Sequence, residues 1–325
     1  MTVQCRPCAK RRALAAILVL LSVAIASQGI QSAQAQTKKT HRAPSKAAPP
    51  RKQRSPRRED VTLNTKDGVE LHCVHYPGPE TKQTVPMILV HDWDGSGKNL
   101  DPIARWMQQA LKLTVIVPDL RGHGRSVKAE GHDQPIDRSQ LEGRAIDAMI
   151  WDIEACKSFL LKKNNEGKLN IEQLGILGSG FGAFLALKWS VRDWSVPDLP
   201  ALKQGRDVKA LILASPCRSF RGATADAELE NPRLWSRIAT LTIVGREQSR
   251  SVREAKRVYR TFERAWPDKT DQGAPYLAAA TPMQGTKLLM CGDPDVVRGI
   301  AMFINDRLIQ LGRHFPWTDR TSPLQ

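Results

Sequence analysis

Five short apolar runs constrain this chain more than any other feature. They are "VPMILVHDW" (85–93), "LTVIVPDL" (113–120), "LNIEQLGILGS" (169–179), "VKALILASP" (208–216) and "TLTIVG" (240–245). Continuous rather than alternating hydrophobicity marks strands buried on both faces. Stretches of helical spacing lie between and after them. Residues 101–112 place Ile103, Trp106, Met107 and Ala110 on one side, and 139–163 repeats Ile146, Met149, Ile150, Ile153, Phe159 and Leu160. Further helices are expected over 181–191, 251–263 and 293–311. "VTLNTKDGVELHCVHYPG" reads as two short antiparallel strands around Lys66-Asp67-Gly68. Short buried strands alternating with amphipathic helices require an α/β domain, a mostly parallel central sheet with helices on both faces. One such domain accounts for residues 59–317, with 318–325 as a C-terminal tail, and the sequence has no internal repeat.

Charge separates the domain from what precedes it. Residues 1–58 hold thirteen Lys and Arg and no Asp or Glu, although the whole chain has a formal net charge of +16. The remainder carries 36 basic and 33 acidic side chains and is therefore close to neutral. Arg6, Lys10, Arg11 and Arg12 precede an apolar stretch from Ala13 to Ala26, and Ala33-Gln34-Ala35 offers a small-residue cleavage site. This is the pattern of a secretory signal peptide over 1–35, and the expectation is a periplasmic or secreted protein. The apolar stretch is short against the roughly 20 residues of a membrane span, with a retained anchor as the alternative. Residues 36–58 are rich in Lys, Arg and Pro and have no means of forming a core, so a disordered linker is expected there. Its charge suits an anionic envelope polymer or a membrane surface, and a plain solvated spacer is the other reading. No motif for sequence-specific nucleic-acid binding is present.

Cys73, Cys156, Cys217 and Cys291 follow the signal region and permit one or two disulfides in an oxidising compartment. Cys73 alternates with Val69 and Leu71, however, and Cys156 lies on the stripe Met149, Ile153, Leu160, positions that favour buried free thiols. Seven scattered histidines show no metal-binding spacing, and His72 and His75 point to opposite faces of a strand. Neither a metal nor another cofactor is expected.

"GILGSGFGAF" (175–184) has the small flanking residues of a strand-to-helix turn that presents a nucleophile. Gly178 and Gly182 flank position 180, and position 180 is itself glycine. Centring the turn on Ser179 would put Leu177 and Phe181 where only small residues pack.

The order "MILVHDWDGSG", "PDLRGHGRS", this turn, "TLTIVGREQSRSVREA" and "MQGTKLL" resembles the α/β-hydrolase family, most nearly its lysophospholipase, esterase and serine-aminopeptidase branch. The resemblance spans about Asp60 to Leu311 and implies the α/β-hydrolase fold. It implies a Ser at the turn, an acid after "TLTIVG", a His before the last helices, and two N–H groups for an oxyanion. Those positions read Gly180, Gln248 and Gln284. The oxyanion-loop equivalents are Asp92, Trp93 and Phe181, with Asp92 where the family has Gly, and His91 and His123 read as structural loop residues. The expectation is an inactive hydrolase-fold protein with a binding or scaffold role. Its residual cleft would be rimmed by Asp92, Asp94, Ser179, Gln248 and Gln284 and would suit a small neutral or cationic polar ligand. The alternative is an ester or amide hydrolase with a rearranged site, using Ser179 or Cys217 with Glu247.

Overall fold

The structure, a computed structural model, describes residues 57–197, 203–266 and 273–321. The signal peptide and nearly all of the basic linker therefore lie outside the described residues. In chain order the strands are β1 (Glu59–Asn64), β2 (Val69–Tyr76), β3 (Pro86–Val90), β4 (Thr114–Pro118), β5 (Lys128–Ala129), β6 (Leu174–Ser179) and β7 (Val208–Ala214), then β8 (Ser219–Phe220), β9 (Ala223–Thr224), β10 (Ala239–Gly245) and β11 (Tyr276–Ala279). The helices are α1 (Asp101–Ala110), α2 (Arg144–Ala148), α3 (Ile150–Asn165), α4 (Phe181–Ser195), α5 (Asp226–Leu229), α6 (Pro232–Trp235), α7 (Ser249–Ala265), α8 (Gly285–Met290) and α9 (Pro294–Ile304).

The main sheet runs β1-β2-β4-β3-β6-β7-β10-β11, with β5 beside β2 and a separate β8–β9 hairpin. From β4 to β11 every pairing is parallel, and β1 and β2 add an antiparallel edge. Alternate side chains feed two cores. Ile88 and Val90 of β3 pack with Ile153 of α3 and Phe184 of α4, whereas Met87 and Leu89 pack with Met107 of α1 and Ile304 of α9. Strand β4 lies on one side of β3 and β6 on the other, so the connections after β3 and after β6 leave in opposite directions. The crevice at such a switch point is where open α/β sheets place their ligand sites.

The expected helices differ from the observed ones at three places. The 139–163 helix is interrupted: a 3₁₀ turn at Arg138–Gln140 is followed by α2, and α3 starts anew at Ile150. Gly143, at φ +49°, sets the entry to α2 outside helical geometry. The stripe Met149, Ile153, Cys156, Leu160 is nevertheless fully buried. The 293–311 helix ends at Ile304, beyond which the turns widen over Asn305–Ile309 and tighten over Gln310–His314. In α1, Ile103 and Met107 are buried but Ala110 is exposed. Cys73 and Cys156 are buried free thiols, and Cys217 and Cys291 are also free.

The segment expected as a tail from 318 packs onto the domain as far as Arg320. Arg320 is 5% exposed, and its Nη1 donates to Glu172 Oε1 at 2.8 Å and Asp207 Oδ1 at 2.7 Å. Asn164 Nδ2 holds the preceding turn through the Thr318 carbonyl at 2.9 Å. Removing one partner of a buried pair strands the other's charge. Arg320→Ala is expected to lower unfolding stability by about 3 kcal/mol, read from urea midpoints. A loss below about 0.5 kcal/mol, the range of ordinary surface changes, would contradict this anchoring role.

Candidate functional site

Strand β6 ends at Ser179 and α4 begins at Phe181, leaving Gly180 as the turn, with φ +52° and ψ −114°. Only glycine takes that conformation without strain. Gly178 and Gly182 are equally constrained. A Cβ at Gly178 would strike the backbone of Gly182 and Ala183, and one at Gly182 would strike the Val90 and His91 carbonyls. The turn is thus centred on Gly180.

Asp92 fills the space that a side chain at 180 would enter. A Cβ built at Gly180 overlaps the Asp92 carboxylate, and so does one at Gly285. Asp92 Oδ1 accepts from Phe181 N at 2.9 Å and Trp93 N at 2.8 Å. Phe181 and Trp93 are two of the three residues that the hydrolase resemblance places at the oxyanion loop; the N–H of the third, Asp92, points to Thr286. A carboxylate of the protein holds the first two N–H groups in the resting state. Burial raises the Asp92 pKa, while these two N–H groups pull the other way. Trp93 and Phe181 meet edge to face at 5.0 Å, and Phe220 packs on both, sealing the apolar side of the loop.

Ser179 is completely buried. Its Oγ lies 2.7 Å from Thr286 Oγ1, and the Asp92 N–H donates to that Thr286 oxygen at 3.3 Å. Ser179 does not rim the cleft, because a residue one step before the turn points into the sheet–helix seam. Cys217 is mostly buried, which pushes its thiol up to about 12, with Asp92 adding to the effect. That is the reverse of what an attacking thiolate needs.

Gln284, where the hydrolase resemblance implies a base, is committed at both ends of its amide. Oε1 accepts from Ser215 Oγ at 2.8 Å, and Nε2 donates to the Gly245 carbonyl at 2.8 Å. Ser215 Oγ also accepts from Gly285 N at 2.9 Å. Gln284 therefore ties the ends of β7 and β10 together. Ser215, held at φ +54°, is a participant that no sequence motif marked. Gln248 is exposed at the position just before α7, and neither it nor the exposed Glu247 makes a side-chain hydrogen bond among the described residues.

Asp92, Asp94, Gln248 and Gln284 come together around a cleft of about 620 Å³, joined by Thr286 and Lys287, with Met283 and Met290 as apolar walls. Ser179 and Glu247 are not among its lining residues. His91 lies beneath, fully buried. Its Nε2 accepts from Leu120 N at 3.0 Å, so Nδ1–H donates to the Asp92 carbonyl at 2.8 Å. His123 bridges the Arg121 and Trp93 carbonyls, at 2.9 Å each. Both imidazoles hold loops. Among the described residues no group of three or more metal-binding side chains occurs, and no helix is long and apolar enough to cross a membrane.

Solved structures with a similar fold include esterase Pf2001 of Pyrococcus furiosus, at TM-score 0.54 and 15% identity over 78% of this chain and 91% of that one. Alpha/beta hydrolase GrgF of Penicillium sp. sh18 is similar at TM-score 0.53 and 13% identity, over 78% of this chain and 99% of that one. Fungal esterases of Rhizomucor miehei are similar at TM-score 0.52 and 13% identity, over 79% and 83%. No protein-family model and no curated protein sequence matches the chain. The fold is the α/β-hydrolase fold, with a mostly parallel sheet covered on both faces. At such identity the likeness defines architecture and leaves chemistry to the site.

Two outcomes follow from this geometry. Gly180→Ala should destabilise the protein by about 2–4 kcal/mol, because the methyl group meets both backbone strain and Asp92. In an Asp92→Gly background the cost should fall by at least about 1 kcal/mol. Additive effects in denaturant titrations would show that the two positions do not compete for the same space. Burial lowers the His91 pKa to about 4 from an ordinary 6.5. Between those values the unfolded chain takes up the proton and the folded one does not. Stability from this group is therefore full above pH 6.5 and lost as pH falls toward 4, by about 3 kcal/mol. His91→Gln should flatten the fall in urea midpoint across that window, and an unchanged slope would contradict the assignment.

Proposed function

We propose that this chain is an exported, non-catalytic α/β-hydrolase-fold protein that serves as a binding or scaffold protein. The observation that carries the reading is the Asp92 carboxylate bound to the Phe181 and Trp93 N–H groups, over a turn with no nucleophile. An oxyanion site accelerates a reaction by stabilising charge that develops in the transition state. A site already holding a carboxylate has nothing left to offer a developing charge. Gln284 adds to this, since a hydrogen-bonded amide accepts no proton at neutral pH. The competing reading, a serine hydrolase using Ser179, is opposed by the burial of that hydroxyl and its bond to Thr286.

The cleft is assigned a small polar ligand, neutral or cationic. Asp92 Oδ2 accepts no hydrogen bond among the described residues, and Asp94 adds a second carboxylate. Export rests on the basic and apolar pattern of residues 1–35. The charge of residues 36–58 supports attachment to an anionic envelope polymer or membrane surface.

Fluorophosphonate treatment of the folded protein, followed by intact mass and peptide mapping, should give no adduct. A stoichiometric adduct on Ser179 would overturn the proposal. The triple variant Gly180→Ser, Gln248→Asp, Gln284→His, where folded, should remain inactive toward p-nitrophenyl acetate, because its serine and the Asp92 carboxylate compete for one space. Adding Asp92→Gly should bring measurable turnover. Hydrolysis by the triple variant alone would show that the carboxylate does not block the site.

A further inference from the structure

Helix α7 carries arginines at 250, 253, 257, 260 and 264, a spacing of three and four that sets them along one side of the helix. All five are exposed, and the opposite side buries Ala255, Val258 and Phe262. From Arg250 to Arg264 the row is about 21 Å long at 1.5 Å per residue. It borders two adjoining hollows of about 480 and 400 Å³, which share Arg218, Asp226 and Arg257 and so form one groove. Arg218 is paired with Asp226, and Arg257 with Glu254 at 2.8 Å. Arg250, Arg260 and Arg264 make no ion pair or side-chain hydrogen bond among the described residues. Three charged forks thus stand unpaired in a groove that remains positive after its internal pairs are counted.

We propose that this groove binds a linear acidic polysaccharide, a chain of hydroxyl-bearing sugars with regularly spaced carboxylate or phosphate groups. Guanidinium forks match such oxyanions in bidentate fashion. The groove also offers Ser219, Ser251 and Thr261 hydroxyls, and the free Glu230 carboxylate can accept from sugar hydroxyls. Among the described residues no aromatic side chain lines it, so they offer no stacking platform of the kind that holds single-stranded nucleic acid. Its concave form fits a single chain better than a flat lipid surface. The proposal is separate from the catalytic question and stands or falls without it.

The test is calorimetric titration of the full chain with an oligogalacturonate octamer at low salt. The first comparison is the variant Arg250→Gln, Arg260→Gln, Arg264→Gln. These arginines have no internal partner, so their removal strands no carboxylate, and an unchanged melting temperature verifies the fold. A second variant with every Lys and Arg of residues 36–56 changed to Ser separates the linker's contribution. The expected result is binding by the wild type, at least tenfold weakening in the groove variant, and retention in the linker variant. Lysine at the three positions should restore binding only in part, because charge returns without the fork. Neutral maltooctaose should not bind, and an eight-residue oligothymidylate should bind more weakly than the octamer. No octamer binding, loss confined to the linker variant, or equal binding of the nucleotide or the neutral glycan would each overturn the proposal.

Discussion

Two backbone N–H groups, those of Phe181 and Trp93, converge on one oxygen of Asp92, and much of the site follows from that contact. The Phe181 N–H belongs to the first turn of α4, where unpaired donors and the helix dipole favour an anion. Supplying that anion from within makes demands on the neighbours. Residue 180 must lack a side chain, and so must residue 285, because a Cβ at either would overlap the carboxylate. Asp92 itself is oriented from below, with His91 donating to its carbonyl and Thr286 accepting from its N–H. The glycine at the turn and the aspartate in the loop are therefore sterically coupled.

Phe181 and Trp93 are shared between the site and the packed interior, but the other site positions are not. The two cores are built from strand interiors and helix faces, Phe184 of α4, Phe262 of α7 and Leu288 of α8 among them. Positions 92, 180, 248 and 284 lie on the loops beyond the strand ends. Gln284 even contributes structurally, since its two hydrogen bonds join Ser215 after β7 to Gly245 at the end of β10. A hydrolase base at position 284, as the resemblance implies, would have to change protonation during each turnover. A fixed amide satisfying two partners suits a static cross-link instead.

The buried strands were legible in the sequence because continuous apolar runs of five to seven residues have few other uses. Strand β11 was not, since it is a four-residue edge with only Ala279 fully buried. The break before α3 was hidden for a similar reason: the apolar repeat continues through Met149, so periodicity alone showed one helix. Gly180, Gln248 and Gln284 were readable by position as what stands where the hydrolase resemblance implies nucleophile, acid and base. The placement of the Asp92 carboxylate was not, because it depends on the backbone at Gly180 and the open space at Gly285, 88 and 193 residues away. Ser179 shows the same limit. A hydroxyl beside the turn looks available in a string, yet the strand's alternation points it inward to Thr286.

The cleft and the arginine groove are neighbours with opposite character, and Ser215 stands between them. It lines the groove and holds Gln284, which lines the cleft. Asp92 and Asp94 make the cleft acidic, whereas Arg250, Arg260 and Arg264 make the groove basic. An acidic chain lying along α7 would meet rising repulsion as its end neared the cleft, within the roughly 10 Å over which charges act at moderate salt. A cationic ligand in the cleft would be disfavoured by the groove in the same way. For the two proposed ligands this opposition would favour different partners at the two places and couple one to the other. A cation bound in the cleft would neutralise the carboxylates and relieve the repulsion at that end of the groove, so the two ligands should favour one another's binding by the same factor.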